Sequence, residues 1–389
     1  MKQIACPCCQ CTDLESFFTI RNAPVQSVAT IHSYEDAVSI PRHDIVLTFC
    51  NHCGFIFNSE FDAEWDYYTQ GYEDQQSFSP TFVKFITSLT QRFINKYGIR
   101  NKRVVEIGCG KGDFIYLICR LGQNQGVGID PAWVPGRVEG QSAIRFIPEF
   151  YSQEHGQIKA DCIICRHTME HIHCVGEFLR IIRDSCAGSR PILFFEVPSV
   201  LRILKDQAFW DIFGEHCNYF SPASLARLFR RYQFEVIDLF LEYDEQYLFI
   251  EARPLDRSLQ KTQPLEESVN ALKSLSRLFA KHVEEKLEEW RTCLLQLKKA
   301  QKKVVLWGGG SKAVGFLTQF DEIGVIDQVV DINPHLLGNF IPGFGIQYVG
   351  PEFLENYRPD VVIVMNSIYI KEVQFELKQR DLFPQVIGL

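Results

Sequence analysis

At 389 residues and 46% apolar composition, the chain is long enough for about two to three domains, each with its own core. A net charge of -8 and a pI near 5.7 argue against a nucleic-acid partner, because backbone binders neutralise phosphates with clustered Lys and Arg. The opening "MKQIACPCCQ" lacks a signal-peptide core and no apolar run approaches the ~18 residues of a membrane span, so the expectation is a soluble cytoplasmic protein, off the membrane, whose cysteines are mostly reduced.

The first sixty residues carry two cysteine pairs, "CPCC" (Cys6, Cys9) and "CNHC" (Cys50, Cys53). Two C-x-x-C knuckles suit tetrahedral thiolate coordination of a structural Zn2+, each pair gripping one side of the ion. Cys8 with Cys11 offers a competing register for the first knuckle. An aromatic, acidic segment follows, and then "FVKFITSLTQRFINKYG", whose apolar spacing predicts a helix.

From 102 to 253 strand and helix patterns alternate. "KRVVEIG", "GVGID", "ADCIICR" and "PILFFEVPS" read as short buried strands, and "FEVIDLFLEYDEQYLFIEARP" as two strands around a polar turn. This predicts a parallel sheet with an antiparallel edge. Residues 265–300, rich in Leu, Glu and Lys without Gly or Pro, predict one long helix or two, serving as a connector. "KKVVLWGGGSKAVGFL" then opens a second strand, glycine turn and helix, and 301–389 reads as a smaller Rossmann-like domain. The predicted divisions are a zinc-binding domain over 1–60, the main α/β domain over 61–255, a helical connector over 256–300 and the last domain over 301–389.

The strongest chemical signal is "VVEIGCGKGDF". A buried strand ends at Glu106, and Gly108, Gly110 and Gly112 let the backbone turn tightly and approach a ligand before a helix begins. Such a turn alone fits NAD, FAD or S-adenosylmethionine (SAM). Glu106 two residues before the first glycine, and Asp130 followed by Pro131 at the end of the second strand, favour SAM, with Asp130 placed to accept the ribose hydroxyls. "ADCIICRHTMEHI" adds a strand end whose residues up to Arg166 and His167 flank the same ligand. His167, Glu170 and His171 also resemble a metal-ligand spacing, but at this turn a pocket-wall role is the stronger expectation. In the last domain Gly309 and Lys312 suit phosphate oxygens at a helix N-terminus, and Asp331 sits where a ribose-binding acid lies.

"CPCC" and "CNHCG", then "YEDQQSFSP", "VVEIGCGKGDF", "RHTMEHI", "FGEHCNYFSPASL" and "DINPHLLGNFIPG" occur in the order seen in sugar C-methyltransferases of deoxysugar pathways. The chain resembles that three-part family along nearly its whole length. The resemblance implies an N-terminal zinc domain whose first knuckle is Cys6 and Cys9, a class I SAM-dependent methyltransferase core, and a C-terminal Rossmann-like domain that helps hold a sugar nucleotide. It implies a reaction in which a base removes a proton beside a keto group and the resulting enolate attacks the methyl of SAM. By the same resemblance His216 is the base, Glu215 its acidic neighbour and Tyr72 a tyrosine close to the sugar. Phe213 departs from the pattern, since that position is commonly Tyr and Phe has no hydroxyl to donate to the enolate oxygen. Tyr72, Tyr219, His171 or a water remain as donors.

Overall fold

The computed structural model describes residues 4–65, 71–138, 143–255 and 261–389. Three sheets organise the chain. The central one has seven strands. Arg103–Ile107 pairs in parallel with Gln125–Ile129 on one side and Cys162–Arg166 on the other; Ile144–Ile147 and Ile192–Pro198 extend the parallel array outward. Beyond Ile192–Pro198 the hairpin of Tyr247–Pro254 and Phe234–Glu242 joins antiparallel. The continuous apolar runs follow from burial on both faces. This is the class I methyltransferase core, with the antiparallel edge expected from the sequence.

Pro80–Tyr97 covers one face. Ser79 caps it by accepting the Phe82 amide, Pro80 takes a first-turn position, and Gly98 ends it at φ +63°. Its buried stripe of Phe82, Ile86, Leu89 and Phe93 matches the periodicity of the sequence.

The last domain is a five-stranded parallel sheet centred on Val304–Trp307, flanked by Ile326–Val330 and Val361–Val364. The N-terminal sheet pairs Leu14–Pro24, Arg42–Cys50 and Ile56–Asn58 antiparallel. Its fourth strand comes from the middle of the chain: Asn218–Tyr219 pairs with Ile56 and Phe57. The N-terminal sheet therefore reaches past the expected boundary at residue 60 and grips the segment that carries His216.

The connector is a single helix, Val269–Lys299. It is more than a spacer, because Leu272, Phe279, Val283, Trp290 and Leu294 form one buried stripe. Phe279 meets Phe18 edge-on at 5.1 Å in the N-terminal sheet, and Trp290 meets Phe316 at 5.1 Å in the last domain. The N-terminal sheet, this helix and the last domain share one core. Among the described residues no helix is long and apolar enough to cross a membrane.

Candidate active site

The Sγ atoms of Cys6, Cys9, Cys50 and Cys53 lie within 4.8 Å of one another, with Cys6–Cys53 at 3.6 Å and Cys9–Cys50 at 3.5 Å. Each knuckle is a backbone turn: Gln10 N–H donates to the Cys6 carbonyl, and Gly54, at φ +70°, donates to that of Cys50. Four converging cysteine sulfurs from two knuckles are what a tetrahedral Zn2+ satisfies, so the residues fit a structural zinc. The first knuckle takes the Cys6 and Cys9 register; Cys8 is buried beside it.

The glycine turn is built as the sequence requires. Gly108, Gly110 and Gly112 all have positive φ, and a Cβ on Gly108 would fall 1.9 Å from Thr168 Oγ1. Asp130 clamps the turn, accepting the Gly110 amide at 2.8 Å and the Ala132 amide at 2.7 Å, with Pro131 between. Glu106 is buried with one oxygen unpaired, and burial, opposed by Arg166, raises its carboxyl to about 8. A left-handed glycine turn, an acid across it and an unsatisfied buried carboxyl beneath it fit SAM. The last domain repeats the device: Asp331 accepts the Gly309 amide at 2.6 Å and the Asn333 amide at 2.8 Å.

A cavity of about 310 Å³ opens where the C-terminal ends of the two parallel sheets face each other. Crevices at such strand ends are where open α/β sheets bind ligands. His167, Pro198, Phe213 and His216 line it from the central domain, and Gly308, Lys312, Asp331 and Asn366 from the last one. Tyr72 to Gln76 form a third wall. That wall also abuts the glycine turn, since Asp74 Oδ1 lies 3.9 Å from a Cβ placed on Gly110. Tyr72 and His167 line the cavity, while Gly108, Gly110 and Asp130 are not among its lining residues.

His216 is 6% exposed, and its ring packs on Phe213 at 4.1 Å and edge-on to His171 at 4.8 Å. His171 Nδ1 lies 3.1 Å from the Glu215 carbonyl, which can only accept, so Nδ1 carries a proton. The ligand atoms of Glu170, His171 and His216 converge within 4.8 Å, and the carboxylate of Glu170, 1% exposed, has His167 Nδ1 beside it at 3.5 Å. Burial, reinforced by His171, His167 and Lys312, pushes His216 well below the usual histidine range, which keeps the ring neutral. His167 has the opposite state. Burial alone would lower it, but Glu196 at 2.9 Å and Glu170 at 3.5 Å hold it up to about 9. Arg166 does not reach the cavity; it pairs with Glu196, whose carboxyl the two cations pull down to about 2 against its burial.

Two expected site residues, Glu215 and Gly309, stand elsewhere than the sequence suggested, and a third, Lys312, is in place but paired. The carboxylate of Glu215 does not orient His216. It accepts from the Ser27 amide at 2.9 Å and from the Ser27 hydroxyl, which also contacts Ser311 Oγ at 2.9 Å. Gly309 does not border the cavity: its amide is committed to Asp331, and a Cβ there would meet Tyr348 at 2.3 Å, while Gly308 and Gly310 are the lining glycines. Lys312 faces the cavity but is ion-paired with Asp211, whose other oxygen takes Arg202 at 3.2 Å. Burial lowers Lys312 while Asp211 opposes the shift. Glu73 is a residue the sequence did not single out; it holds Arg137 and accepts Asn333 Nδ2 at 3.0 Å. Nothing local marks it, because its partners lie 64 and 260 residues away.

Residues 80–239 match a family profile described as a methyltransferase domain, and residues 251–381 match one described as a C-methyltransferase C-terminal domain. The C-methyltransferase NovU of Streptomyces niveus is 28% identical over 166 residues. That stretch covers 41% of this chain and 39% of the relative, so the chain spans about two fifths of the length of the curated relative it matches. Among solved structures, the Burkholderia thailandensis 1,6-didemethyltoxoflavin-N1-methyltransferase is 15% identical, covering 44% of this chain and 79% of that one, at a TM-score of 0.34. A SAM-dependent methyltransferase from Archaeoglobus fulgidus is 17% identical, covering 44% and 93%, at a TM-score of 0.35. The two profile matches fall on the two sides of the cavity, so a stretch matching a methyltransferase domain precedes one matching a C-methyltransferase C-terminal domain, the order that the sequence resemblance implies.

Proposed function

We propose that the protein is a SAM-dependent C-methyltransferase acting on a nucleotide-linked keto-deoxysugar, with His216 as the base. The observation that carries this reading is a neutral, buried histidine lining a cavity between a SAM-type glycine turn and a second Rossmann-like sheet. When bound at Gly108, Gly110 and Asp130, SAM supplies an electrophilic methyl group. His216 takes the proton from the carbon beside the keto group, and burial that keeps the ring neutral leaves its lone pair available. Tyr72, edge-on to His171 at 6.2 Å, borders the sugar. Glu215 is a positioning residue, holding the His216 segment to Ser27 and through it to Ser311. The nucleotide lies toward Gly308, Gly310 and Asp331. Among the described residues no cysteine is in a disulfide, in keeping with a cytoplasmic site of action.

The test incubates the protein with a panel of thymidine-diphosphate-linked keto-deoxysugars in deuterated water and follows deuterium incorporation by mass spectrometry. Wild type exchanges one carbon-bound proton, and His216→Ala loses about 10²–10⁴-fold of that rate. Equal exchange in wild type and H216A removes His216 from the base role. No exchange and no methylation of any member, with SAM still bound, removes the ketosugar assignment.

A further inference from the structure

Removing a proton beside a carbonyl leaves a negative charge on oxygen, and a water-poor cavity must supply a donor for it. The ring that packs on His216, Phe213, offers none. Acids line much of the cavity: Glu73, Asp74, Asp331 and Glu372 stand on walls away from the 211–216 segment, and Glu170 stands beside His216. The lining cations are His167, whose two ring nitrogens are taken by Glu196 and Glu170, and the pair Arg202 and Lys312.

Lys312 belongs to the helix Ser311–Phe320 of the last domain, and that helix is docked onto the segment that carries His216. A Cβ on Gly315 would come within 2.6 Å of the Trp210 carbonyl oxygen, so helix and segment are in backbone contact. Ser311 reaches Glu215 through the Ser27 hydroxyl, and Lys312 holds Asp211. The first two residues of the helix therefore engage the two acids that bracket Phe213, the second of them next to His216. An ammonium has three donors, and the bond to Asp211 leaves two of them. With Arg202 on the other oxygen of Asp211, this corner holds two cations around one carboxylate inside the cavity wall.

We propose that Lys312 is a catalytic residue of the methyl transfer, its ammonium stabilising the oxyanion formed when His216 removes the substrate proton. This rests on the carbon-acid reaction proposed above. The C–H bond breaks with its proton going to the His216 ring and its electron pair forming the enolate C=C, and the carbonyl π pair moves to oxygen beside Lys312. The enolate carbon then forms a bond to the methyl carbon of SAM, the sulfur–methyl bond breaks with its electrons staying on sulfur, and the C=O re-forms. The His216 proton leaves to solvent. Lys312 keeps its proton throughout. The last domain thus completes the catalytic centre rather than only holding a nucleotide.

The experiment measures deuterium exchange and steady-state methylation with a thymidine-diphosphate-linked keto-deoxysugar for wild type, Lys312→Met and Lys312→Arg, with thermal unfolding of each. The expected result is a loss of about 10²–10³-fold in exchange rate and kcat for K312M, a KM change below about tenfold, and partial retention in K312R, which keeps the charge. If K312M fails to fold, Lys312→Gln, which preserves a hydrogen bond to Asp211, carries the same comparison. Wild-type exchange and kcat in the neutral variant with KM raised overturns the proposal and makes Lys312 a phosphate anchor. Absence of exchange in wild type overturns the carbon-acid reaction itself, and Lys312's role with it, so the two failures are distinct.

Discussion

A buried and a half-buried histidine from neighbouring turns hold opposite protonation states. Burial, reinforced by His171, His167 and Lys312, keeps His216 neutral, whereas Glu196 and Glu170 keep His167 charged against its burial. The His167 shift has a consequence for stability. Its folded value of about 9 lies above the unfolded value of about 6.5, so its contribution is fully present below about pH 6.5 and is lost as pH rises through 9. A shift of that size corresponds to a contribution on the order of 3 kcal/mol. His167→Gln should therefore unfold well below wild type at about pH 6, with the gap closing toward about pH 10. Unfolding temperatures measured across that range check this, and a gap independent of pH would mean that the imidazolium is not what holds Arg166, Glu196 and Glu170 together.

At the scale of elements, the helix Ser311–Phe320 and the segment 211–219 form the contact on which the site depends. Replacing a mid-helix glycine by alanine ordinarily stabilises a helix by roughly 1 kcal/mol. Gly315→Ala should instead cost about 1–3 kcal/mol, because the new Cβ meets the Trp210 carbonyl and the helix must move. The same displacement carries Ser311 and Lys312 away from Glu215 and Asp211, so exchange activity should fall with stability; a G315A variant as stable and active as wild type would show that this docking is loose. How the elements were legible follows from the same physics. The parallel strands, both glycine turns and the helix after Ser79 carry local periodicity and capping signals, and each appears in its expected place. The pairing of Asn218–Tyr219 with Ile56 and Phe57 does not, because a two-residue strand has no pattern of its own. The partner of Glu215 is hidden for a similar reason: Ser27 lies 188 residues away, and nothing next to Glu215 in the chain points to it. The helix Val269–Lys299 was readable as a helix but not as core, since a polar composition hides one buried stripe in 31 residues.

Across the whole molecule, three separately folded sheets converge on one short segment. The N-terminal sheet pairs with it through Asn218–Tyr219, the central domain contributes it, and the last domain holds it through Ser311 and Lys312. The cysteine knuckles stand at the end of the N-terminal sheet next to Ile56, so the cluster supports the segment through the strands Arg42–Cys50 and Ile56–Asn58 that it ties together. The proposed proton abstraction beside a carbonyl needs a base, an oxyanion partner and a methyl donor in fixed relation; in that proposal the central domain supplies the base and the donor site, the last domain the oxyanion partner, and the N-terminal sheet holds the base's segment in place. The central claim is that carbon, not oxygen or nitrogen, receives the methyl group. Its most direct test supplies SAM labelled with carbon-13 in the methyl group together with the panel of nucleotide-linked ketosugars, and locates the label by nuclear magnetic resonance. The account predicts a labelled methyl bonded to a ring carbon beside the keto group, and a label on a hydroxyl oxygen or an amine would contradict it.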